Sequence, residues 1–445
     1  MFKFGFDLDD ADIDNEVDSF LKQAGNAQFQ DDSPSGDNYE ENQERLPNED
    51  GCLVEVSLEH LLNTLPTNLS FSFLEIPLSS SSSASSASSI SSFANGSRVH
   101  HLARRDLFDA RFQVISEDNG DPNVVTEGGR KTETKEPIEA SSESKLRFLD
   151  TPSDLVPGVY EGGLKTWECS LDLVDYLHAS LDDENLIGKR VLELGCGTGV
   201  PSLYLLQRIF SSPPTGSTSQ KTIIHFQDYN PSVLELVTFP NVLLSWYMSP
   251  ASEPFLSSLS APSDPEAEDA VEYPAKDPTT AGDISITSLL KIAFKQSLER
   301  YNVEVKFLGG SWKSFRNAIT TSGGPSDTQT NQVTAKGLGM YDILLTSETI
   351  YRTESMPDLI HAMWEATHPT VRSPSEQLSR LMISEPHPPL ILVAAKVFYF
   401  GVGGGVDEFV EAVEKWNGVP DANAEVTTIW ERNIGVRRRI LRVFW

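Results

Sequence analysis

Three glycines at alternating positions, with an acidic residue shortly before them, are the part of the sequence best suited to hold a ligand. Gly195, Gly197 and Gly199 follow Glu193. Because glycine has no Cβ atom, such a turn can bring its backbone against a ligand. A dinucleotide-binding G-x-G-x-x-G/A fingerprint is not met, since its sixth position is Val200. A carboxylate at the position of Glu193 suits a cationic ligand better than a pyrophosphate.

A short apolar strand and a helix flank this turn. Residues 191–194 are short, apolar and bounded by glycine, which is typical of a buried parallel strand. Pro201 stands where the first helical turn begins, and Leu203, Leu205 and Leu206 supply an apolar helix side. Strand, glycine turn and helix together predict the first βα unit of a doubly wound sheet. A glycine turn without a ligand would have the same local pattern.

Further candidate ligand contacts follow two later strands and precede the first. Asp228 ends a second predicted strand over residues 223–230, where a carboxylate can accept both hydroxyls of a ribose or cap a helix. Trp312 follows a third strand over residues 303–308, at the edge where an adenine ring would lie. Trp167 is either a lid over a planar ligand or a half-buried packing residue.

Composition narrows the function classes. The chain has 445 residues and a formal net charge of -30, which argues against non-specific nucleic-acid binding. No apolar stretch is long enough for a bilayer, and the first residues do not read as a signal peptide. Cys52, Cys169 and Cys196 have no metal-ligand spacing and form no disulfide framework. We therefore expect no metal site, and a reducing compartment, cytoplasmic or nuclear.

The first third of the chain does not read as a domain. Residues 1–145 are predicted to be an acidic, serine-rich and mostly disordered region, with a serine tract over residues 79–92. Two pieces interrupt it. Apolar residues alternate over residues 2–8, and residues 54–65 have the apolar spacing of a helix. Each piece is either transient local structure or a segment that docks on the folded domain or on a partner.

Residues 146–445 predict one α/β domain. Its fold class is a Rossmann-like, mostly parallel sheet of seven strands, with five parallel βα units followed by a C-terminal β-hairpin. The strands are expected at residues 191–194, 223–230, 303–308, 341–346, 390–395, 425–430 and 439–445. Residues 249–283, 320–336 and 369–388 are predicted to be insertions, the first of them disordered. Ligands in such sheets bind past the carboxyl ends of the strands.

Five motifs in order resemble one known family. The run E-x-G-x-G-x-G is similar to the first motif of the seven-stranded S-adenosylmethionine methyltransferases. Together with four other motifs it resembles the histidine protein methyltransferase 1 family, over roughly residues 146–445 and with a similar Phe-x-Phe-x-Phe opening. The motifs are residues 160–169, 191–199, 226–230, 347–351 and 395–405.

The resemblance implies a fold, a cofactor and a reaction. The fold is the seven-stranded methyltransferase sheet, the cofactor is S-adenosyl-L-methionine, and the methyl group goes to a ring nitrogen of a histidine in a large-subunit ribosomal protein. We accordingly expect a monomer with a protein substrate, no direct nucleic-acid partner and no membrane. The cofactor contacts that the resemblance implies are Trp167, Glu168, Gly195, Asp228, Tyr229, Gly310, Trp312 and Ser347.

The acceptor site is expected at the ends of strands four and five. We predict Glu348 and Tyr351 as the catalytic residues, with Phe398, Tyr399 and Phe400 completing the pocket; ordinary packing would also explain each of them. A neutral imidazole already has a basic nitrogen, whereas a lysine must first lose a proton. Two alternatives stay open, a lysine methyltransferase of the same fold and a non-catalytic module that binds the cofactor.

Overall fold

The computed structural model describes residues 52–79, 98–118, 162–214, 220–259, 273–274, 276–320, 338–368, 388–399, 403–416 and 424–445. Within these residues the chain forms eleven strands, numbered here in chain order. They are β1 Val54–Val56, β2 Asn68–Leu78, β3 Arg98–Arg105, β4 Arg190–Leu194, β5 Thr222–Asp228, β6 Gly282–Ser285, β7 Val303–Gly309, β8 Ile343–Ser347, β9 Leu390–Lys396, β10 Glu425–Arg432 and β11 Arg438–Phe444.

Ten α-helices accompany the strands in the described part of the chain. They are α1 Leu58–Thr64, α2 Leu107–Asp118, α3 Glu168–Ser180, α4 Val200–Ser211, α5 Phe239–Met248, α6 Glu253–Leu259, α7 Ser288–Arg300, α8 Trp312–Thr320, α9 Met356–Thr367 and α10 Val406–Glu414. A helical turn at Pro231–Val233 and a π-helical stretch at Leu234–Thr238 lead directly into α5, and single 3₁₀ turns lie at Asp183–Asn185 and Pro250–Ser252.

The main sheet confirms the predicted α/β class and adds a strand to it. Among the described residues it has eight strands, in the order β1-β7-β5-β4-β8-β9-β11-β10. Strands β7, β5, β4, β8 and β9 are parallel, and β10 and β11 form the predicted C-terminal hairpin. The predicted count of seven is one short, because β1 pairs antiparallel with β7 and becomes the edge strand on that side. The glycine turn follows β4, at the point where the strand order reverses.

Both faces of the parallel sheet are covered, as its continuous apolar strands require. Along β4, Val191 belongs to the core on one face and Leu192 to the core on the other, and both are fully buried. Leu344 and Leu345 of β8 alternate in the same way. Successive strand residues point to opposite faces, so a strand that is covered on both sides does not alternate between apolar and polar residues. Covering helices thus fix the strands whose carboxyl ends carry the predicted site.

A second sheet lies on the helical layer beside the main sheet. It contains β3, β2 and β6 in that order, all antiparallel, and it contacts α3 and α5. We call β1, α1, β2, β3 and α2 the N-terminal layer. Its side chains Leu61, Leu69, Phe71 and Leu102 are buried in the same core cluster as the helices of the main domain. The N-terminal layer is therefore part of one continuous core.

This layer corrects the predicted domain boundary. The mostly disordered region predicted for residues 1–145 contains regular, buried structure over residues 52–78 and 98–114, so the fold does not begin at residue 146. Of the two interpretations of residues 54–65, the structure shows the docked one, as a strand and a helix rather than one helix. The apolar alternation at residues 2–8 and most of the serine tract lie outside the described residues.

The first predicted insertion also contains regular structure where disorder was predicted. Residues 249–283 contain the 3₁₀ turn, helix α6 and the start of β6, whose register with β2 pairs Ser285 with Asn68. Their polar composition therefore did not reveal the strand. Residues 321–337 and 369–387, which make up nearly all of the other two predicted insertions, lie outside the described residues. No described helix combines the length and the apolar composition needed to cross a membrane.

Candidate active site

A cavity of about 540 Å³ opens at the carboxyl ends of the five parallel strands. The residues that end or follow β4, β5, β7, β8 and β9 all contribute to its wall. Three of the predicted cofactor-binding residues, Glu168, Glu193 and Gly199, do not line it. The predicted cofactor-binding and catalytic residues that line it are Trp167, Gly195, Gly197, Asp228, Tyr229, Gly310, Trp312, Ser347, Glu348 and Tyr351.

The turn after β4 needs its glycines for two reasons. The backbone is left-handed at all three, with φ of +61° at Gly195, +49° at Gly197 and +74° at Gly199. Space is also lacking, because a Cβ atom on Gly195 would lie 2.6 Å from Cγ2 of Thr349 and one on Gly197 would lie 3.1 Å from Cα of Gly163. The turn can thus bring its backbone to the cavity wall only with glycine at these positions.

Asp228 is held by backbone donors from both sides. Its Oδ2 accepts a hydrogen bond of 2.9 Å from the N–H of Gly197, and its Oδ1 accepts one of 3.0 Å from the N–H of Asn230. Its carbonyl accepts a third, of 2.9 Å, from the N–H of Gly310. One buried acid therefore joins the glycine turn, the end of β5 and the end of β7, and its carboxylate is fixed at the cavity wall.

Glu193 does not have the position that its place in the motif predicted. Its side chain is buried beneath the turn, and Oε2 accepts a hydrogen bond of 3.0 Å from the N–H of Ser202 in the first turn of α4. Burial raises the pKa of Glu193 to about 7, and the bond from Ser202 opposes that rise. Gly199 also packs on the interior, since an added Cβ atom would lie 3.2 Å from Cε1 of Phe226. Both residues shape the turn from below rather than contact the cavity.

The opposite wall holds a buried carboxylate. Oε2 of Glu348 accepts a hydrogen bond of 2.6 Å from the hydroxyl of Tyr399, and Oε1 lies 3.9 Å from Nζ of Lys396. Burial raises the pKa of Glu348, while the Lys396 charge, the neighbouring Cys169 thiol and the hydrogen bond from Tyr399 lower it. Burial and the Glu348 charge also raise the pKa of the Cys169 thiol well above its ordinary value.

The backbone at Glu348 is left-handed, with φ of +57°. Few residues other than glycine adopt this region, and it costs free energy unless the surroundings fix it. The fixing contact is a hydrogen bond of 2.9 Å from the N–H of Glu348 to the carbonyl of Ala394 in β9. The kink turns the Glu348 side chain away from the strand direction and into the cavity wall.

The aromatic residues expected around the acceptor separate into two groups. Tyr351 and Tyr399 line the cavity, and their ring centroids are 6.3 Å apart. Phe398 is 63% exposed and does not line it, while Phe400 lies outside the described residues. Gly404 packs on the Tyr351 backbone, since an added Cβ would lie 2.4 Å from the Tyr351 carbonyl carbon. Of the aromatic residues expected here that the structure describes, the two tyrosines are those at the cavity wall.

Lys396 is a cavity residue that sequence reasoning missed. It ends β9, and its Nζ lies 4.5 Å from the centroid of the Trp167 ring and 3.5 Å from Oε2 of Glu168. Trp167 is 36% exposed and caps the start of α3, so its ring forms one rim of the cavity. The rule that selected Asp228, a polar residue at the carboxyl end of a parallel strand, also applies to Lys396 and could have found it.

Metal ligands are not grouped in the described part of the chain. No set of three or more His, Cys, Asp or Glu side chains there is arranged to hold a metal ion. The histidine of the second strand, His225, is fully buried and shares a hydrogen bond of 2.6 Å with the hydroxyl of Tyr341. It therefore belongs to the core.

Comparison with known proteins adds relatives from yeasts and mammals. Histidine protein methyltransferase 1 of Schizosaccharomyces pombe is 29% identical over 348 residues, which cover 77% of this chain and 78% of that protein. Histidine protein methyltransferase 1 of Saccharomyces cerevisiae is 30% identical over 310 residues, covering 69% and 67%. The Bos taurus homologue is 31% identical over 271 residues, covering 61% and 53%. No protein-family profile matches the chain.

Solved structures share less with the chain. The rRNA methyltransferase AviRa from Streptomyces viridochromogenes is 14% identical with a TM-score of 0.30, covering 65% of this chain and 91% of its own. Magnesium protoporphyrin IX methyltransferase from Synechocystis is 13% identical with a TM-score of 0.27, covering 62% and 81%. No residue role is carried over from either. The sequence relatives are sufficient by themselves: the chain is a methyltransferase and belongs to the histidine protein methyltransferase 1 family.

Proposed function

We propose that the protein is an S-adenosylmethionine-dependent protein-histidine N-methyltransferase whose acceptor is a histidine of a large-subunit ribosomal protein. The observation that carries the proposal is the cavity itself. One wall is the glycine turn with Asp228, and the other is Glu348 with Tyr351 and Tyr399. A nucleoside-bearing methyl donor and a planar acceptor ring can therefore meet in one space.

The residues of the first wall fit the cofactor. Gly195 and Gly197 form a cradle without side chains, since a Cβ atom on either would meet Thr349 or Gly163, so the backbone can lie against the ligand. Asp228 is fixed where its carboxylate can accept the ribose hydroxyls, and Tyr229 and Trp312 offer ring surfaces beside it. When bound, S-adenosylmethionine supplies a sulfonium methyl group that needs no further activation. The protein's main task is then to align the acceptor.

Glu348 is the residue best placed to orient the acceptor. Its Oε2 is occupied by the Tyr399 hydroxyl, while its Oε1 is buried and has no hydrogen-bond partner among the described residues. A neutral imidazole has one N–H and one basic nitrogen. Oε1 can accept that N–H, hold the ring with its basic nitrogen facing the methyl group, and later take the proton that the methylated ring gives up. Tyr351 borders the same space.

The rate of methyl transfer should depend on pH in one direction. The acceptor nitrogen must be unprotonated, and Glu348 must be ionised to accept the N–H. Burial raises the Glu348 pKa, so its proton is retained to higher pH than in an exposed carboxyl group. The acceptor condition makes the rate rise with pH through about 6.5, the unperturbed histidine value, and then level off, and the Glu348 condition acts in the same direction. A lysine acceptor should keep gaining rate well beyond that plateau, because its unperturbed pKa is about 10.4.

The proposed partner is consistent with the charge of the chain. A formal net charge of -30 favours a basic protein over a nucleic acid as the molecule bound. We propose that the protein acts as a monomer in the cytoplasm, the nucleus or both, where ribosomal proteins are made and assembled.

Product identification tests the proposal. The full chain is incubated with isotope-labelled cofactor and large-subunit ribosomal proteins, and the hydrolysed products are identified by mass spectrometry. We expect labelled methylhistidine, with no label when the Gly195→Arg variant replaces the wild type. Methyllysine as the main product would overturn the histidine assignment and favour the lysine alternative. Cofactor binding without any labelled protein would favour a binding module.

A further inference from the structure

We propose that Lys396 is a specificity-determining residue: its ammonium group fills a cation cage formed by Trp167, Glu168 and Glu348, and this keeps protonated lysine side chains out of the acceptor site. The inference rests on the proposed histidine acceptor and extends it, because it names the enzyme residue that selects histidine over lysine as the acceptor.

The cage has the parts that recognise an alkylammonium ion. Nζ of Lys396 lies 4.5 Å from the centroid of the Trp167 ring, within the range of a cation–π interaction. Oε2 of Glu168 and Oε1 of Glu348 lie 3.5 Å and 3.9 Å from the same nitrogen. An aromatic face and two carboxylates thus surround one ammonium group, and of these residues Trp167, Glu348 and Lys396 line the cavity.

The resident lysine does not satisfy this cage completely. Oε2 of Glu168 and Oε1 of Glu348 are both buried, and neither has a hydrogen-bond partner among the residues that the structure describes. Their distances to Nζ of Lys396 exceed the roughly 2.7–2.9 Å of a charge-assisted hydrogen bond. Both contacts are therefore ion pairs rather than hydrogen bonds, and both oxygens keep the capacity to accept a hydrogen bond.

Filling the cage from within changes which acceptor can enter. A protonated lysine acceptor would place a second ammonium group beside that of Lys396, and like charges in a partly buried site repel strongly. A neutral imidazole carries no charge and needs only the N–H acceptor on Glu348. Specificity often depends on such a repulsive element as much as on attraction.

The cage is tested first by ligand binding, without methyl transfer. The Lys396→Ala variant of the full chain is titrated with n-propylammonium, and with n-propanol as the uncharged control, while the thermal midpoint is measured. At about ten times the dissociation constant the midpoint should rise by roughly 2–4 °C with the ammonium ion only. Wild type and Lys221→Ala, which removes an exposed lysine ion-paired with Glu304, should show no such rise. Equal responses to both additives would overturn the cage.

Acceptor choice is tested second. Two peptides that differ only in a central histidine or lysine compete for methylation, and the ratio of methyllysine to methylhistidine is measured. The ratio should rise about tenfold or more in Lys396→Ala, fall again on addition of n-propylammonium, and stay at the wild-type value in Lys396→Arg. Lys396→Gln replaces the alanine variant if that does not fold.

The two tests separate the inference from the proposed function. A wild type that produces no methylhistidine refutes the proposed function, whereas the ammonium titration still decides whether the cage exists. An unchanged product ratio in a folded Lys396→Ala variant refutes the specificity role. If Lys396→Ala binds the cofactor more tightly and the ratio of methyllysine to methylhistidine is unchanged, the cage would bind the sulfonium group of the cofactor instead. This result also overturns the proposal.

Discussion

The N-terminal layer and the cavity wall differ in how their residues are held. Side chains of the N-terminal layer such as Leu61, Leu69 and Phe71 are buried by apolar neighbours, and no described residue of this layer lines the cavity. The cavity wall instead contains left-handed backbone at Gly195 and Glu348, and a buried carboxylate oxygen without a hydrogen-bond partner in the described part of the chain.

This difference separates the source of stability from the source of binding. Apolar burial stabilises the fold, whereas strained backbone and buried polar groups cost stability and are kept where function needs them. Substitutions in the two regions should therefore have opposite signatures. A change in the wall should remove binding or alter the pH dependence in a folded protein, and a change in the layer should lower stability while the folded fraction still binds.

The largest effect is expected for Gly195→Arg. The new side chain would start 2.6 Å from Thr349 and extend into the cradle, so cofactor affinity should fall about 1000-fold or more, equivalent to about 4 kcal/mol. Left-handed backbone should cost only about 1–2 kcal/mol of stability. Calorimetry and thermal unfolding measure the two effects. Gly435→Arg is the matched control, with φ of +69° and no atom within 4 Å of an added Cβ. Unchanged affinity in Gly195→Arg would remove the turn from the site.

A smaller effect of the opposite kind is expected for Leu61→Ala. Leu61 is fully buried in α1, so its truncation should lower the free energy of unfolding by about 2–5 kcal/mol. Cofactor affinity at a temperature where the variant stays folded should be unchanged, because Leu61 does not line the cavity. Denaturant unfolding and calorimetry test this, with the exposed Glu59→Ala in the same helix as control. Stability equal to that of the wild type would mean that the layer is not part of the core.

The smallest effect is expected for Tyr399→Phe. Its hydroxyl donates to Oε2 of Glu348 and lowers the pKa of that carboxyl group, so its loss should raise the Glu348 pKa. The low-pH limb of the rate should then move to higher pH, with less change on the plateau. Tyr247→Phe removes a hydroxyl hydrogen bond to Pro274, outside the cavity wall, and should leave the limb in place. An unmoved limb in Tyr399→Phe would show that Glu348 does not control the rate.

Much of the wall could be predicted from the sequence because strand ends are recognisable. Short apolar runs marked the five parallel strands, and the residues after them had to meet at one edge of the sheet. Asp228, Trp312 and Glu348 were found in this way, and the structure places all three around one cavity. Glu193 satisfied the same rule and yet lies beneath the turn, since the pattern does not say which side of a strand end a side chain faces.

The N-terminal layer could not be predicted for a different reason. Buried and partly exposed residues alternate along only part of strand β2. Its partner β3 follows a polar segment, and its other partner β6 lies more than 200 residues later in the sequence. A short strand such as β1 carries no periodic signal of its own. These strands form because a covered face and an open sheet edge exist elsewhere in the chain, and single-sequence patterns do not contain that information.

The pairing of β1 with β7 sets the order in which the fold can be completed during synthesis. Val54 pairs with Gly309, so the edge strand waits for a partner made roughly 250 residues later. At typical translation rates this delay is about 10–50 s, during which the apolar residues of the N-terminal layer have no finished core to join. A nascent chain is thus most exposed to aggregation and to chaperone binding in this interval, and the synthesis of β7 is what brings it to an end.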